Sequence, residues 1–178
     1  MSRGLWDGVC NLWNSSGLFD FATTAAFRMK RIPDEKYWHY GGGPGVAENL
    51  ITMQKNFFTF WAIGTEGDLP YWDTLRGEGW FRPSDLAILY QGTDYARSGK
   101  DYNGPIAGVR LKAIRRGQQD IEYLNMLTAK KPWSKAKVRK ALAAWADNSR
   151  APVLTFRNLS VDRLFQLRGA LQTALKGN

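Results

Sequence analysis

With one cysteine and one histidine in 178 residues, two kinds of chemistry are already out of reach. Cys10 has no partner for an internal disulfide, so cysteine usage leaves the redox compartment open. His39 alone cannot supply a zinc site built on several imidazoles, and no cofactor motif accompanies it. Long apolar runs are missing too, since no stretch reaches the roughly 18 residues of a membrane span. The opening residues SRGLWDGVCNLW lack a basic segment, a clean apolar run and a small-residue cleavage site. No signal peptide is read there, and the compartment stays undetermined. Internal repeats and low-complexity segments are absent as well.

Acidic residues are scarce, 16 Asp and Glu against 25 Lys and Arg, for a net charge of +9. From Arg110 to Arg150, 11 Lys and Arg face only Asp120, Glu122 and Asp147. Nearly all the excess therefore falls on two C-terminal helical segments. Solvated outer faces of helices explain such a run more simply than a nucleic-acid surface. A phosphate-binding surface would give the same field, but no recognition motif accompanies it.

What the chain does have is aromatic content, 13% of residues, set on alternating element types. Leu5–Trp13 has strand composition and ends at the turn Asn14-Ser15-Ser16-Gly17. Phe19–Arg31 reads as a helix stopped by Pro33. Lys36–Tyr40 (KYWHY) reads as a strand running into Gly41–Gly45. Val46–Asn56 reads as a helix and Phe57–Ile63 (FFTFWAI) as a further strand. A long loop, Gly64–Ser84, follows, then a strand at Asp85–Tyr90 and a polar loop, Gln91–Gly104. Pro105 is expected to open a long helix with a stripe of Val109, Leu111, Ile114, Ile121, Leu124 and Leu127. Ser134 is read as the cap of a second helix, with Val138, Ala141, Leu142 and Trp145 inward. Ser160 caps a third, carrying Leu164, Phe165, Leu167, Leu171 and Leu175. Strand–helix alternation of this kind favours an α/β fold with parallel strands.

Three segments carry a family resemblance. These are Glu35–Pro44 (EKYWHYGGGP), Phe57–Gly64 (FFTFWAIG), and Asp85–Gly92 taken with Pro105, Arg110, Leu111, Arg115, Gly117, Asp120, Glu122, Tyr123 and Leu124. Together they resemble the C-terminal part of the catalytic domain of glycoside hydrolase family 123 and its uncharacterised relatives. The resemblance covers roughly residues 5–127. It implies the C-terminal portion of a (β/α)8 barrel over residues 1–130, followed by a helical extension at 131–178. It also implies a sugar site at the C-terminal strand ends and a substrate-assisted cleavage of β-linked N-acetylgalactosamine. In that route the substrate's acetamido oxygen attacks the anomeric carbon, an Asp orients it and a neighbouring Glu supplies the proton.

The barrel needs about 250 residues, and only about three of its strands can be placed here. The family's carboxylate pair sits on a middle strand that these residues do not include. Asp34-Glu35 is an adjacent pair, but it precedes the Lys36–Tyr40 strand and so lies at the face opposite the sugar site. The chain is therefore expected to lack turnover alone and to follow a missing N-terminal barrel portion, or else to self-associate. Candidate substrate-binding residues are Trp61 as a sugar platform, Trp38 and Tyr40 at the strand end, and Trp13 with Asn14. Trp72 and Asp73 stand on the loop beyond, near Glu66 and Asp68. Gly41–Gly45 is a tight turn rather than a phosphate cradle, since it lacks G-x-G-x-x-G register. A non-catalytic carbohydrate-binding or assembly module fits the same residues, and a basic nucleic-acid module is the third alternative.

Overall fold

The computed structural model describes residues 11–16, 34–41, 49–70, 73–75, 84, 86–92, 103–148 and 154–177. The expected helix at Phe19–Arg31, Cys10, residues 42–45 of the glycine turn and Trp72 lie outside them. Among the described residues the fold is mixed α/β, with four helices and two small three-stranded sheets.

Strand β1 (Leu12–Ser16) pairs in parallel with β2 (Lys36–Gly41), and β2 pairs in parallel with β3 (Gly67–Pro70). Helix α1 (Ile51–Ile63) lies in sequence between β2 and β3, which makes a β–α–β unit. The second sheet pairs β4 (Asp73–Leu75) in parallel with β5 (Ala87–Gln91), and β5 antiparallel with β6 (Pro105–Ala107). Three helices follow, α2 (Val109–Ala129), α3 (Lys135–Ala143) and α4 (Val161–Lys176).

The largest departure from the sequence expectation is Phe57–Ile63, which is not a strand but the second half of α1. The reason is burial on every side. Phe58, Trp61 and Ala62 enter one apolar cluster, while Met53, Phe57, Phe60 and Ile63 enter another. A helix enclosed in this way has no polar stripe, so its period disappears and the run looks like a buried strand. Its end is marked locally instead: Gly64 adopts φ 84°, its N–H donates to the Phe60 and Trp61 carbonyls, and Thr65 N–H donates to Phe60 O.

The long loop expected at Gly64–Ser84 contains β3 and β4. Gly and Pro conceal strands there because β3 needs only its backbone edge to pair with β2. Pro105 does not open the long helix either. It starts β6, at a sheet edge where a missing N–H is tolerated, and pairs with Gln91. Gly108 N–H still donates to Ile88 O, so helical geometry begins only at Val109.

The C-terminal helices follow the sequence closely. Ser134 and Ser160 accept from the N–H groups of Lys137 and Arg163 as N-caps. Val138, Leu142, Leu164, Leu167 and Leu171 are buried, while Ala141 and Phe165 face solvent and Trp145 is half-buried. These side chains do not make a core of their own. They share one cluster with Phe58, Trp61, Leu124 and Leu127, so α3 and α4 pack on α1 and α2 across the boundary drawn at residue 130. Burying one side chain such as Phe58 contributes about 1.5–3 kcal/mol.

Candidate functional site

Alternation along β1 and β2 divides the first sheet into two unlike faces. Trp13, Glu35, Tyr37 and His39 are buried. Trp13 and Tyr37 pack with Met53, Phe57, Phe60 and Ile63 of α1. The His39 ring lies 4.7 Å from that of Phe60, as a core histidine. The opposite face carries Leu12, Asn14, Lys36, Trp38 and Tyr40, of which only Trp38 is as much as half-buried. Leu12 and Tyr40 keep 40% and 37% of their surface, an apolar exposure on the side away from the helix.

Register lines up three residues across this face. Asn14 stands opposite Trp38, and Trp38 opposite Gly67. Trp38, Tyr40 and Asn14 thus share one surface of two neighbouring strands, with two aromatic rings and one amide. Such a surface can stack on the apolar face of a pyranose and hydrogen-bond a hydroxyl beside it.

The remaining candidates are distributed differently. Trp61 is no strand-end platform: it sits within α1, is 5% exposed, and donates from Nε1 to Asn125 Oδ1 at 2.8 Å. Lys135 lies over its ring at 5.8 Å, which closes that side further. Trp13 points into the helix-side core, because its odd position on β1 puts it one register step from Asn14. Asp73 belongs to β4 by its backbone, and its side chain falls outside the described residues. At the start of β2, Asp34 is exposed and Glu35 buried, both remote from the C-terminal strand ends.

Most cations of the Arg110–Arg150 run, among them Lys112, Arg115, Lys131, Lys135 and Lys140, are solvent-exposed as expected, while a few others help hold the fold. Arg139 donates to Ala62 O at the end of α1, Lys130 to Leu175 O at the end of α4, and Arg163 to Ala144 O at the end of α3. Each cation meets a helix C-terminus, where unpaired carbonyls and the macrodipole favour it. Arg168 is consumed by a buried ion pair with Asp120. The helix ends and the carboxylate that these four side chains reach are not visible in a linear reading.

Lys55 is a further cation that the sequence reading passed over. It is buried on α1 and donates from Nζ to Arg157 O at 2.5 Å. Asp147 holds the same loop, accepting from the N–H groups of Arg157 and Asn158 and from Thr155 Oγ1. Burial pushes the Lys55 ammonium below the usual lysine pKa, and the Asp147 carboxylate partly offsets this. Between the lowered and the ordinary value the unfolded chain binds more protons, so stability from this group rises with pH. Relative to Lys55→Met, the wild type is expected to gain stability as the pH rises through the range just below the ordinary lysine pKa of about 10.4. Urea denaturation of both proteins across that range checks it, and a constant difference would remove the Lys55 contribution.

Among the described residues no group of three His, Cys, Asp or Glu side chains is placed to hold a metal ion. No described helix is long and apolar enough to cross a membrane. Compared with protein-family models and with curated proteins, the chain finds no match.

Proposed function

We propose that this chain forms the late part of a sugar-processing (β/α) barrel of the kind it resembles, glycoside hydrolase family 123, with Asn14, Trp38 and Tyr40 facing the sugar. The observation that carries this reading is the two-faced parallel sheet. Its helix-covered side is apolar and closed, and its other side presents aromatics and an amide. In a (β/α)8 barrel the helices lie outside, the opposite face looks inward, and ligands meet the C-terminal strand ends. Tyr40 is near the end of β2 and fits the mouth of such a barrel. The antiparallel β6 is an addition to the repeat, lying at the edge of the second sheet.

On this reading the substrate is a glycan bearing an N-acetylhexosamine. Trp38 stacks on the ring, Asn14 hydrogen-bonds a polar substituent, and the acid and the orienting Asp come from a further barrel portion that completes the site. The same face also serves a second reading, a carbohydrate-binding or assembly module without hydrolysis. Both need sugar affinity, and they differ in turnover of an aryl N-acetylgalactosaminide once the remaining barrel strands are supplied. The nucleic-acid alternative would use the exposed cations Lys112, Arg115, Lys131, Lys135 and Lys140, with no recognition motif beside them.

Titration calorimetry with N-acetylgalactosamine tests the face. Trp38→Ala is expected to weaken binding about tenfold, equivalent to about 1.4 kcal/mol. A wild-type protein with no affinity at millimolar sugar would sink the carbohydrate reading. Binding of duplex DNA that falls steeply with salt would favour the nucleic-acid alternative instead.

A further inference from the structure

Gly67 is the residue opposite Trp38 on β3, and its missing side chain has a defined use. A Cβ at Gly67 would lie 2.7, 2.8 and 2.9 Å from Cε2, Cδ2 and Nε1 of the Trp38 indole. In the plane of an indole no outside point comes so near both ring-fusion carbons and the nitrogen at once. The position therefore lies over the five-membered half of the ring, and the indole is laid face-down on the glycine. Strands are about 4.8 Å apart, so a ring rooted on β2 that covers β3 leans away from β1. Asn14 on β1 is left exposed at its other side.

We infer that Gly67 is a positioning residue that lays the Trp38 indole across β3, so that ring and Asn14 amide form one flat stacking-plus-hydrogen-bonding subsite for a pyranose. The inference rests on the carbohydrate reading for its ligand, and on the geometry of the row Asn14–Trp38–Gly67 for the mechanism. Any side chain at residue 67 meets the indole, whose rigid ring must swing off the strand. The neighbouring contacts include ring atoms rather than the end of a flexible chain, so the shift is not small. A tilted ring would lose the coplanar surface that stacking on a sugar requires.

Gly67→Ala and a control, Gly169→Ala, separate the possibilities, because a Cβ at Gly169 meets nothing within 4 Å. The chain has eight tryptophans, so 5-fluorotryptophan labelling with 19F NMR resolves them, and Trp38→Phe identifies the Trp38 resonance. The expected result is a displaced Trp38 resonance in Gly67→Ala alone. N-acetylgalactosamine affinity should fall about five- to tenfold, with no additional loss when Trp38→Ala is already present. An unmoved Trp38 resonance overturns the positioning role whatever the sugar does. A moved resonance with wild-type affinity overturns the subsite. If neither wild type nor Gly67→Ala binds sugar, the carbohydrate reading fails and the subsite with it, while the resonance still decides whether Gly67 sets the ring.

Discussion

Asp120→Ala is expected to lower the free energy of unfolding by about 3–5 kcal/mol. The Asp120 side chain on α2 is fully buried, and Arg168 on α4 is 7% exposed. Arg168 Nε donates to both carboxylate oxygens at 2.9 and 3.1 Å, and its terminal nitrogen donates to Oδ2 at 2.5 Å. The same nitrogen donates to Gln54 Oε1 of α1 at 2.7 Å, so one guanidinium ties three helices. Truncating Asp120 leaves a charge in the interface whose remaining partners among the described residues are the Gln54 amide and the face of the Phe165 ring. Arg116, 3.9 Å from Asp120, is too distant to hold the acid by itself. Replacing both partners with apolar residues of similar size, Asp120→Leu with Arg168→Met, is expected to be far milder, because no charge is then stranded. Urea denaturation of the two single variants and the double gives the coupling directly. A cost below about 1 kcal/mol for Asp120→Ala would put the pair in the class of screened surface bridges.

Gly117→Ala is expected to destabilise, although alanine is the better helix former by about 1 kcal/mol. Gly117 lies in the middle of α2, against α1. A Cβ there would come within 2.2 Å of Phe57 Cδ2 and 2.7 Å of Cε2 and Cγ. Phe57 is itself 7% exposed and makes an edge contact with Phe60, so its ring has little space to retreat. The overpacking is expected to outweigh the propensity gain, for a net loss of about 1–3 kcal/mol, with Gly117→Val at the upper end. Phe57→Leu in the same chain should recover part of the loss by opening room for the methyl group. Thermal or urea melts of the four proteins check this. A more stable Gly117→Ala would mean that the helices separate easily at this crossing.

These two residues show what a linear reading sees and misses. Gly117 and Asp120 were both visible as parts of a helix motif, but their cause was not. Gly117 exists in that position because another helix touches it, and Asp120 because Arg168, 48 positions later, comes to meet it. The helical setting of Trp61 is hidden from a linear reading for a related reason. Its neighbours Phe57–Ile63 are apolar without interruption, and only the two clusters that enclose them decide between helix and strand. The face on which Trp38 and Tyr40 lie was legible because strand alternation is local, and β2 keeps the period of two from Lys36 to Tyr40. Gly67 was not, since nothing in its own sequence says that an indole lies over it.

The sequence by itself determined the β2 strand and its two faces, the capped helices at Ser134 and Ser160, and the mixed α/β character. All of these rest on patterns no longer than a few turns. Tertiary structure alone decided that FFTFWAI is a helix, that Pro105 starts an edge strand, and that the last helices belong to the same core as α1 and α2. It also decided where the positive charge goes, since a cation's role depends on the carbonyl or carboxylate it reaches. Local periodicity is written along the chain, whereas burial on all sides, close approach at a glycine and the partner of a charge are properties of what packs against it.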